Sequence, residues 1–281
     1  MSVVSRHITL DTYQHRYDCA TLRREEGILE VRMHKKGDDK SPVVWSTYTH
    51  SDLSYLFYDI SRDYDNECVI LTGTGNTFIA TENDIIPGDV NSGVDPLVWD
   101  EILHDVKHLH MNLLNIEVPV IAAINGPSIV HTELALLNDI VLASDDCSFQ
   151  DIPHFFGNVV PGDSVQVVFP MLLGRIRANY FLLTGEKIEA KRAYELGLVN
   201  ELLPKSELMA RAWYWARFIA ARSKLARRYT RAVLTQEWKK QMHEHLSLGI
   251  TMEGLSIAVS QRMNNPHTRP NVPGHPYNKE Y

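Results

Sequence analysis

Cysteine is scarce: Cys19, Cys68 and Cys147 are the only three in 281 residues. They stand far apart, form no paired-ligand spacing and cannot all pair, which argues against a disulfide framework or a structural zinc site and for a reducing cytoplasm. Long apolar runs are missing too. No segment offers the ~18 uninterrupted apolar residues of a membrane-spanning helix. The opening MSVVSRHITLDTYQHRYDCA is too polar and charged for the apolar heart of a signal peptide. Nor is there an excess of positive charge, since 28 Lys and Arg against 35 Asp and Glu leave a formal charge of −7. Such a chain has no overall attraction for phosphate backbones or anionic lipid. The expectation is a soluble, unexported, cytoplasmic protein whose partners are neither nucleic acid nor membrane. With 44% hydrophobic and 22% charged residues, it has the balance of an ordinary globular protein, long enough for one large domain or a domain with an appendage.

Hydrophobic periodicity alternates between two and about 3.6 residues along the chain. Residues 27–33 read as a half-buried strand, and Leu53, Leu56, Phe57 and Ile60 recur at helical spacing. CVILTGTGNTF and VPVIAAINGP are short buried strands ending at turns, with a helix over 99–114 between them. A helical turn at 133–137 precedes the strand DIVLAS. Helical spacing resumes over 163–184 and 190–197, then comes the strand LVNELLP. This order predicts parallel β/α units. Residues 208–259 are almost wholly helical in composition, with Trp213, Trp215, Phe218 and Ile219 too apolar for a solvated surface. The tail over 263–281 is proline-rich and linker-like.

Several tempting features point to bland roles. His104, His108 and His110 in HDVKHLH lack a further ligand or a general-base Glu and are expected on a solvated helix face, so no metal centre is expected. GTGNTF does not complete a dinucleotide fingerprint, because Phe78 holds the third glycine position, so no nicotinamide cofactor is expected. The basic run ARRYTRAVLTQEWKK is read as the solvent side of an amphipathic helix. An exposed patch of Arg227, Arg228, Arg231, Lys239 and Lys240 would instead favour a catalytically silent scaffold or an RNA-binding trimer.

The words VILTGTGNTF, VPVIAAINGP, ELALLNDIVLAS, SFQDIPHFFGNVVPGD and LLTGEKIEAKRAYELGLVNELLP, in this order, resemble the crotonase (enoyl-CoA hydratase/isomerase) superfamily from about residue 29 to 255. The resemblance implies an α/β fold, a spiral core of ββα turns over residues 20–204 that carries the active site, a C-terminal helical trimerisation region over 205–262, and a homotrimer or dimer of trimers. Two departures stand out. Where thioester hydratases of the family carry a run of glycines, this chain has Ser128-Ile129-Val130-His131, and where they place a catalytic Glu after a proline it has Pro153-His154. VVWSTYTH, EVPVIAAINGP, FQDIPHF, VPGD and HLSLGITMEGL are similar to the superfamily's β-diketone hydrolases of the 6-oxocamphor hydrolase type, which cleave a carbon–carbon bond by a retro-Claisen reaction without coenzyme A or another cofactor. The matching site residues are Trp45, His50, His131, His154, Asp163 and Glu253.

The chemistry asks for two devices. Water must be deprotonated as it adds to one carbonyl, a task that suits an imidazole oriented by a carboxylate, and His154 with Asp163 are the expected pair. The leaving enolate must be held by N–H donors, which His131 and Trp45 supply. His50 is carried as a substrate-binding residue although a surface position at the helix entry is the blander reading. Glu253 reaches the pocket only if the C-terminal helices fold over it. Glu133, at the position of a family acid/base glutamate, is read as a structural partner. The competing functions are an enoyl-CoA hydratase-like or acyl-CoA hydrolase enzyme, and a non-catalytic scaffold.

Overall fold

The β-rich start of the chain turns on Glu26 and Gly27, both at positive φ (53° and 76°), so the first two strands form a tight hairpin whose twist matches the sheet. In chain order the strands are β1 (Ala20–Glu25), β2 (Ile28–Met33), β3 (Cys68–Gly73), β4 (Val120–Ile124), β5 (Ile140–Ser144), β6 (Ser148–Phe149), β7 (Ile188–Glu189) and β8 (Glu201–Leu203). This is a computed structural model, and it describes residues 7–80, 95–157 and 159–262. Six strands form one sheet in the order β1-β2-β3-β4-β5-β8, antiparallel only between β1 and β2. β6 and β7 pair separately.

A parallel sheet must be covered on both faces, and alternate residues of each strand face opposite sides. Leu29, Val31, Val69, Leu71, Val120 and Ala122 belong to the main core, which also holds Leu53, Leu56 and Phe57 of the helix Thr47–Arg62 and Leu109 and Leu113 of the helix Pro96–Asn115. Their neighbours Ile28, Cys68, Ile70, Ile121 and Ala123 form a second cluster with Leu208, Ala212 and Ala216 of the helix Lys205–Ala220. The first helix of the C-terminal region is therefore one wall of the sheet. The last, Gln236–Arg262, turns Met242, Leu246, Ile250 and Ile257 inward, and Leu246 and Ile250 meet Val106 of the helix Pro96–Asn115. The helices after residue 204 thus pack on the sheet and on the helix Pro96–Asn115, and the 263–281 tail lies outside the described residues.

The basic helix Lys224–Leu234 is inverted relative to expectation. Arg227 and Arg231 are buried, not solvated. Arg231 pairs with Asp139 at 2.6 Å and donates to the carbonyls of Leu113, Leu114 and Ile116, where the helix Pro96–Asn115 ends. Arg227 pairs with Glu67 and Arg228 with Glu117. The reason is electrostatic: a helix C-terminus presents unsatisfied carbonyls and negative potential that guanidinium groups neutralise. The exposed basic patch that an RNA-binding reading required does not form, because Arg227 and Arg231 are spent internally. Leu225, Tyr229, Val233 and Leu234 are left exposed on this helix instead.

Candidate active site

The site gathers at the ends of β4 and β6. Backbone bonds from Ser128 N to Ser148 O (2.8 Å), Gln150 N to Ser128 O (3.1 Å) and Ile129 N to Ile79 O (3.1 Å) tie three loops side by side. Out of this weave rises His131, at φ 44°, a left-handed conformation uncommon for a side-chain-bearing residue and typical of functional strain. Thr132 fixes the turn by donating to Ser128 O and Gln150 O (2.9 and 2.6 Å), and the short helix Glu133–Leu136 follows.

His131 stands at the centre of a buried chain. Its Nε2 lies 2.9 Å from His50 Nε2, and the indole N–H of Trp45 donates to the same His50 nitrogen at 3.1 Å. Ser46 caps the helix Thr47–Arg62 by accepting from Thr49 N, which places His50 in the first turn, facing inward; it is 9% exposed. The blander surface reading of His50 is thereby corrected: the capped helix rotates it into the core side. On its far side His131 Nδ1 meets Glu133 Oε1 at 2.7 Å, and the same oxygen lies 2.9 Å from His110 Nε2. His110 is fully buried, a second correction. It shares the inward face of its helix with Val106, Leu109, Leu113 and Leu114, whereas His104 and His108 are exposed as expected.

His154 lies on the short helix Ile152–Gly157. Its Nδ1 meets Asp151 Oδ1 at 2.6 Å, and its Nε2 is 3.6 Å from both Asp163 Oδ1 and Glu253 Oε1. The expected orienting bond from Asp163 is thus made by Asp151, because one turn of helix brings residues three apart together. Asp163 instead lies between the two histidines, with Oδ2 3.4 Å from His131 Nδ1. It is held by a clasp in which Ser164 N donates to Gln166 Oε1 (2.9 Å) and Gln166 Nε2 to Gly162 O (2.8 Å). Glu253 arrives because the last helix lies directly on this loop, with Val160 N donating to Ser256 Oγ at 3.0 Å and Trp99 Nε1 to Ile250 O at 3.2 Å. All six residues expected in the site therefore converge, joined by Asp151, Glu133 and His110.

Burial and charge set the protonation states. Burial holds His50 well below the ordinary histidine value, with His131 and His110 adding to the effect. Burial also opposes charge on His131 and His154, but carboxylates outweigh it. Glu133 and Asp163 raise His131, and Asp151 and Asp163, with Glu253, hold His154 well above its usual range. Burial pushes Asp163 up to about 7 against the pull of His154 and His131. Glu133 is drawn below the usual carboxylate range, its burial outweighed by His131 and His110. The site is a set of interacting groups that share protons.

Two trios have donor types that a metal accepts, His110–His131–Glu133 and His154–Asp163–Glu253. In the first, both ring nitrogens point at one carboxylate oxygen, which is a hydrogen-bonded chain and not a coordination sphere around a common centre. In the second, the two 3.6 Å separations suit groups that share a water molecule.

Fold and site together define an enzyme of the crotonase type, and the chain belongs to the enoyl-CoA hydratase/isomerase family, which it matches over residues 23–265. It is similar to a β-diketone hydrolase from the cyanobacterium Anabaena sp. PCC 7120, solved bound to (S)-3-oxocyclohexyl acetic acid, at 44% identity and TM-score 0.83, covering 88% of this chain and 97% of that one. It is also similar to the 1,2-epoxyphenylacetyl-CoA isomerase of Escherichia coli (strain K12), 28% identical over 70% of this chain and 74% of that protein. An enoyl-CoA hydratase/isomerase from Mycobacterium paratuberculosis shares the fold at 21% identity and TM-score 0.76, covering 87% of this chain and 95% of that one. Among the described residues no helix is long and apolar enough to cross a membrane.

Proposed function

We propose that the protein hydrolyses a carbon–carbon bond of a β-diketone, with a cyclic diketone as the preferred class, by a retro-Claisen reaction. The observation that carries this reading is the division of the buried site into two halves. Trp45 Nε1 and His131 Nε2 converge on one point, now held by His50 Nε2. Across from them, His154 Nε2, Asp163 and Glu253 surround another. A 1,3-diketone has two carbonyls with these two needs. Water adds to one carbonyl carbon, the carbon–carbon bond breaks, and its electron pair moves onto the second carbonyl as an enolate. The enolate carbon then takes a proton, leaving a carboxylic acid and a ketone.

His131, charged and dry, and the Trp45 indole hold the enolate oxygen. A buried donor of this kind is worth more than one in water because it needs no reorganisation as charge develops. His154 carries its proton at rest, so the acceptor for the water proton is assigned to the Asp163 and Glu253 carboxylates, with His154 Nε2–H steadying the adding oxygen and Asp151 fixing the ring. The Anabaena enzyme's bound (S)-3-oxocyclohexyl acetic acid contains a ketone and a carboxylic acid in one molecule, which is the product type that cleavage of a cyclic diketone yields. That supports extending the reading to this chain.

The test is incubation with cyclic and open-chain β-diketones without any cofactor, following loss of the enolised diketone absorbance. Oxygen-18 water is expected to label the carboxylate product and not the ketone. Turnover of a CoA thioester with no diketone cleavage would replace this reading with a hydratase-like one.

The assembly is proposed as a trimer or a dimer of trimers. Its support is the apolar outer face of the C-terminal helices, where Leu225, Tyr229, Val233 and Leu234 and, on the last helix, Leu248, Met252 and Leu255 are exposed. Exposed apolar residues of this kind are what subunit contacts cover.

A further inference from the structure

Behind His131, one carboxylate oxygen receives two imidazoles. His110 Nδ1 lies 2.7 Å from Val106 O, and a carbonyl oxygen can only accept, so that nitrogen carries hydrogen. Its Nε2 faces ionised Glu133 at 2.9 Å and donates as well. On the pocket side, the Trp45 indole is a donor only, so His50 Nε2, 3.1 Å away, presents its lone pair. His131 Nε2, 2.9 Å from that nitrogen, would set lone pair against lone pair unless it carries a hydrogen, so it shares the His50 lone pair as a second N–H donor, while His131 Nδ1 donates to Glu133. Hydrogen-bond accounting alone makes His131 a donor at both nitrogens.

We infer that Glu133 is a positioning residue which, together with His110, keeps His131 doubly protonated and holds its Nε2–H at the point that His50 Nε2 now occupies and that the substrate oxygen takes over. This rests on the reading of His131 as the enolate donor. The logic is one of competing basicity. A single buried carboxylate facing an imidazolium can simply take its proton, leaving a neutral pair. A second N–H on the same oxygen lowers that oxygen's basicity, so the proton stays on His131 Nδ1 and the ring is locked in the plane of the Glu133–His110 contact. Glu133 is fully buried, and its charge is sustained by these two partners. The groups facing His131 from each packed element are consistent with a held cation: Glu133 from its own turn, Asp163 Oδ2 at 3.4 Å from the loop before the helix Val165–Leu173, and neutral His50 with Trp45 from the segment at 45–50. His154, whose charge opposes that of His131, is the like-charged neighbour that the carboxylates overcome.

The experiment follows His131 directly by NMR of isotope-labelled histidine in the full-length protein, with assignment by His131→Gln. In Glu133→Gln its titration is expected to fall by about 1 to 3 pH units, the usual effect of removing an opposite charge at contact. In His110→Asn, which retains a donor for Val106 O but takes the second N–H away from Glu133 Oε1, it is expected to move the same way by a smaller amount. General loosening of the site would raise KM along with lowering kcat, so KM is the readout that separates it from a lost positioning contact. With the diketone, Glu133→Gln is expected to lose about 10²-fold in kcat at pH 8, on the scale of an oxyanion donor, with KM within about threefold. Adding it to His131→Ala is expected to cost nothing further. A well-folded Glu133→Gln protein with an unmoved His131 titration would overturn the inference, and so would an upward shift in His110→Asn. If the shifts appear but the wild type cleaves no diketone, the positioning stands and the substrate reading falls.

Discussion

Gly249 gives the sharpest perturbation of the arrangement, because helix propensity and site geometry disagree about it. It lies inside the helix Gln236–Arg262, where Gly→Ala ordinarily stabilises by up to about 1 kcal/mol. Here a Cβ would stand 3.1 Å from Gly162 C and closer still to Gly162 O and Gln166 Nε2, inside the usual carbon contact distance of about 3.5 to 4.0 Å. Gln166 is not free to yield, since its amide is the clasp on Gly162 and Ser164. The helix must therefore back away by roughly 1 Å, and a shift of that size at a catalytic group costs about 10²-fold in rate. Glu253, one turn further along the same face, moves with it and leaves its 3.6 Å position beside His154.

Gly249→Ala is thus expected to lose about 10²-fold in kcat, equivalent to about 2.7 kcal/mol of transition-state stabilisation. Its stability should change by no more than about 2 kcal/mol, as the helix gain offsets part of the overpacking. Ser247→Ala, on the exposed side of the same helix, serves as the control and should keep both rate and stability. The assays are steady-state diketone cleavage and thermal unfolding. A Gly249→Ala protein with full kcat and a raised Tm would show that the helix-to-loop contact does not set the site, and the placement of Glu253 as a catalytic acceptor would be wrong.

The remaining expectations concern charge, burial and assembly. Asp163, raised from 3.8 to about 7, binds a proton in the folded state over that interval which the unfolded chain has released. Its contribution to stability is therefore present below about pH 4 and is lost as the pH rises to about 7. Asp163→Asn should accordingly stabilise the protein more at pH 8 than at pH 4, by at most the ~4 kcal/mol of unfolding free energy that ~3 units represent, while removing the acid limb of kcat; equal effects at both pH values would refute this. Arg231→Met strands Asp139 and three helix-end carbonyls, and urea unfolding should show a loss of about 3 to 5 kcal/mol. Leu225→Glu with Val233→Glu should yield a monomeric mass by light scattering with the sheet core intact by circular dichroism, and an unchanged mass would remove this face from the interface. Asp151→Asn should lower kcat through a misoriented His154 with little change in fold; an unchanged rate would show that the His154–Asp151 bond plays no orienting part.

The strands were legible because burial on both faces of a parallel sheet leaves continuous β-branched runs, and CVILTG and VIAAI could be little else. β1 escaped notice because Thr21, Arg23 and their neighbours pair at a sheet edge, where polar residues are tolerated and the periodic signal is weak. The helical stretch over 163–184 divides at Gly174, which sits at φ 74°, a conformation that apolar spacing does not report. The candidate site was legible only through family resemblance, since a contact such as the one from His50 to His131 spans 81 positions. Asp151 had a purely local signal, an acid three residues before a histidine with a proline between them, a pattern fitting the first turn of a helix.

His110 and Arg231 were misplaced by the same assumption, that polar residues on a helix face water. For His110 the helical wheel was already decisive: it follows Val106 by four residues and precedes Leu113 and Leu114 by three and four, so it lies within the apolar stripe. A polar group there must find a buried partner, and the turn Glu133–Leu136 supplies one. For Arg231 the wheel could not decide, because in the helix Lys224–Leu234 the charged stripe and the apolar stripe are both continuous. Which one turns inward depends on what it meets. The exposed carbonyls at the end of the helix Pro96–Asn115 and the carboxylates of Asp139, Glu67 and Glu117 make a polar recess, and guanidinium groups fill it better than leucine does. Turning the basic stripe inward leaves Leu225, Tyr229, Val233 and Leu234 outside, so the electrostatics of one helix end also create the apolar surface on which the proposed assembly rests.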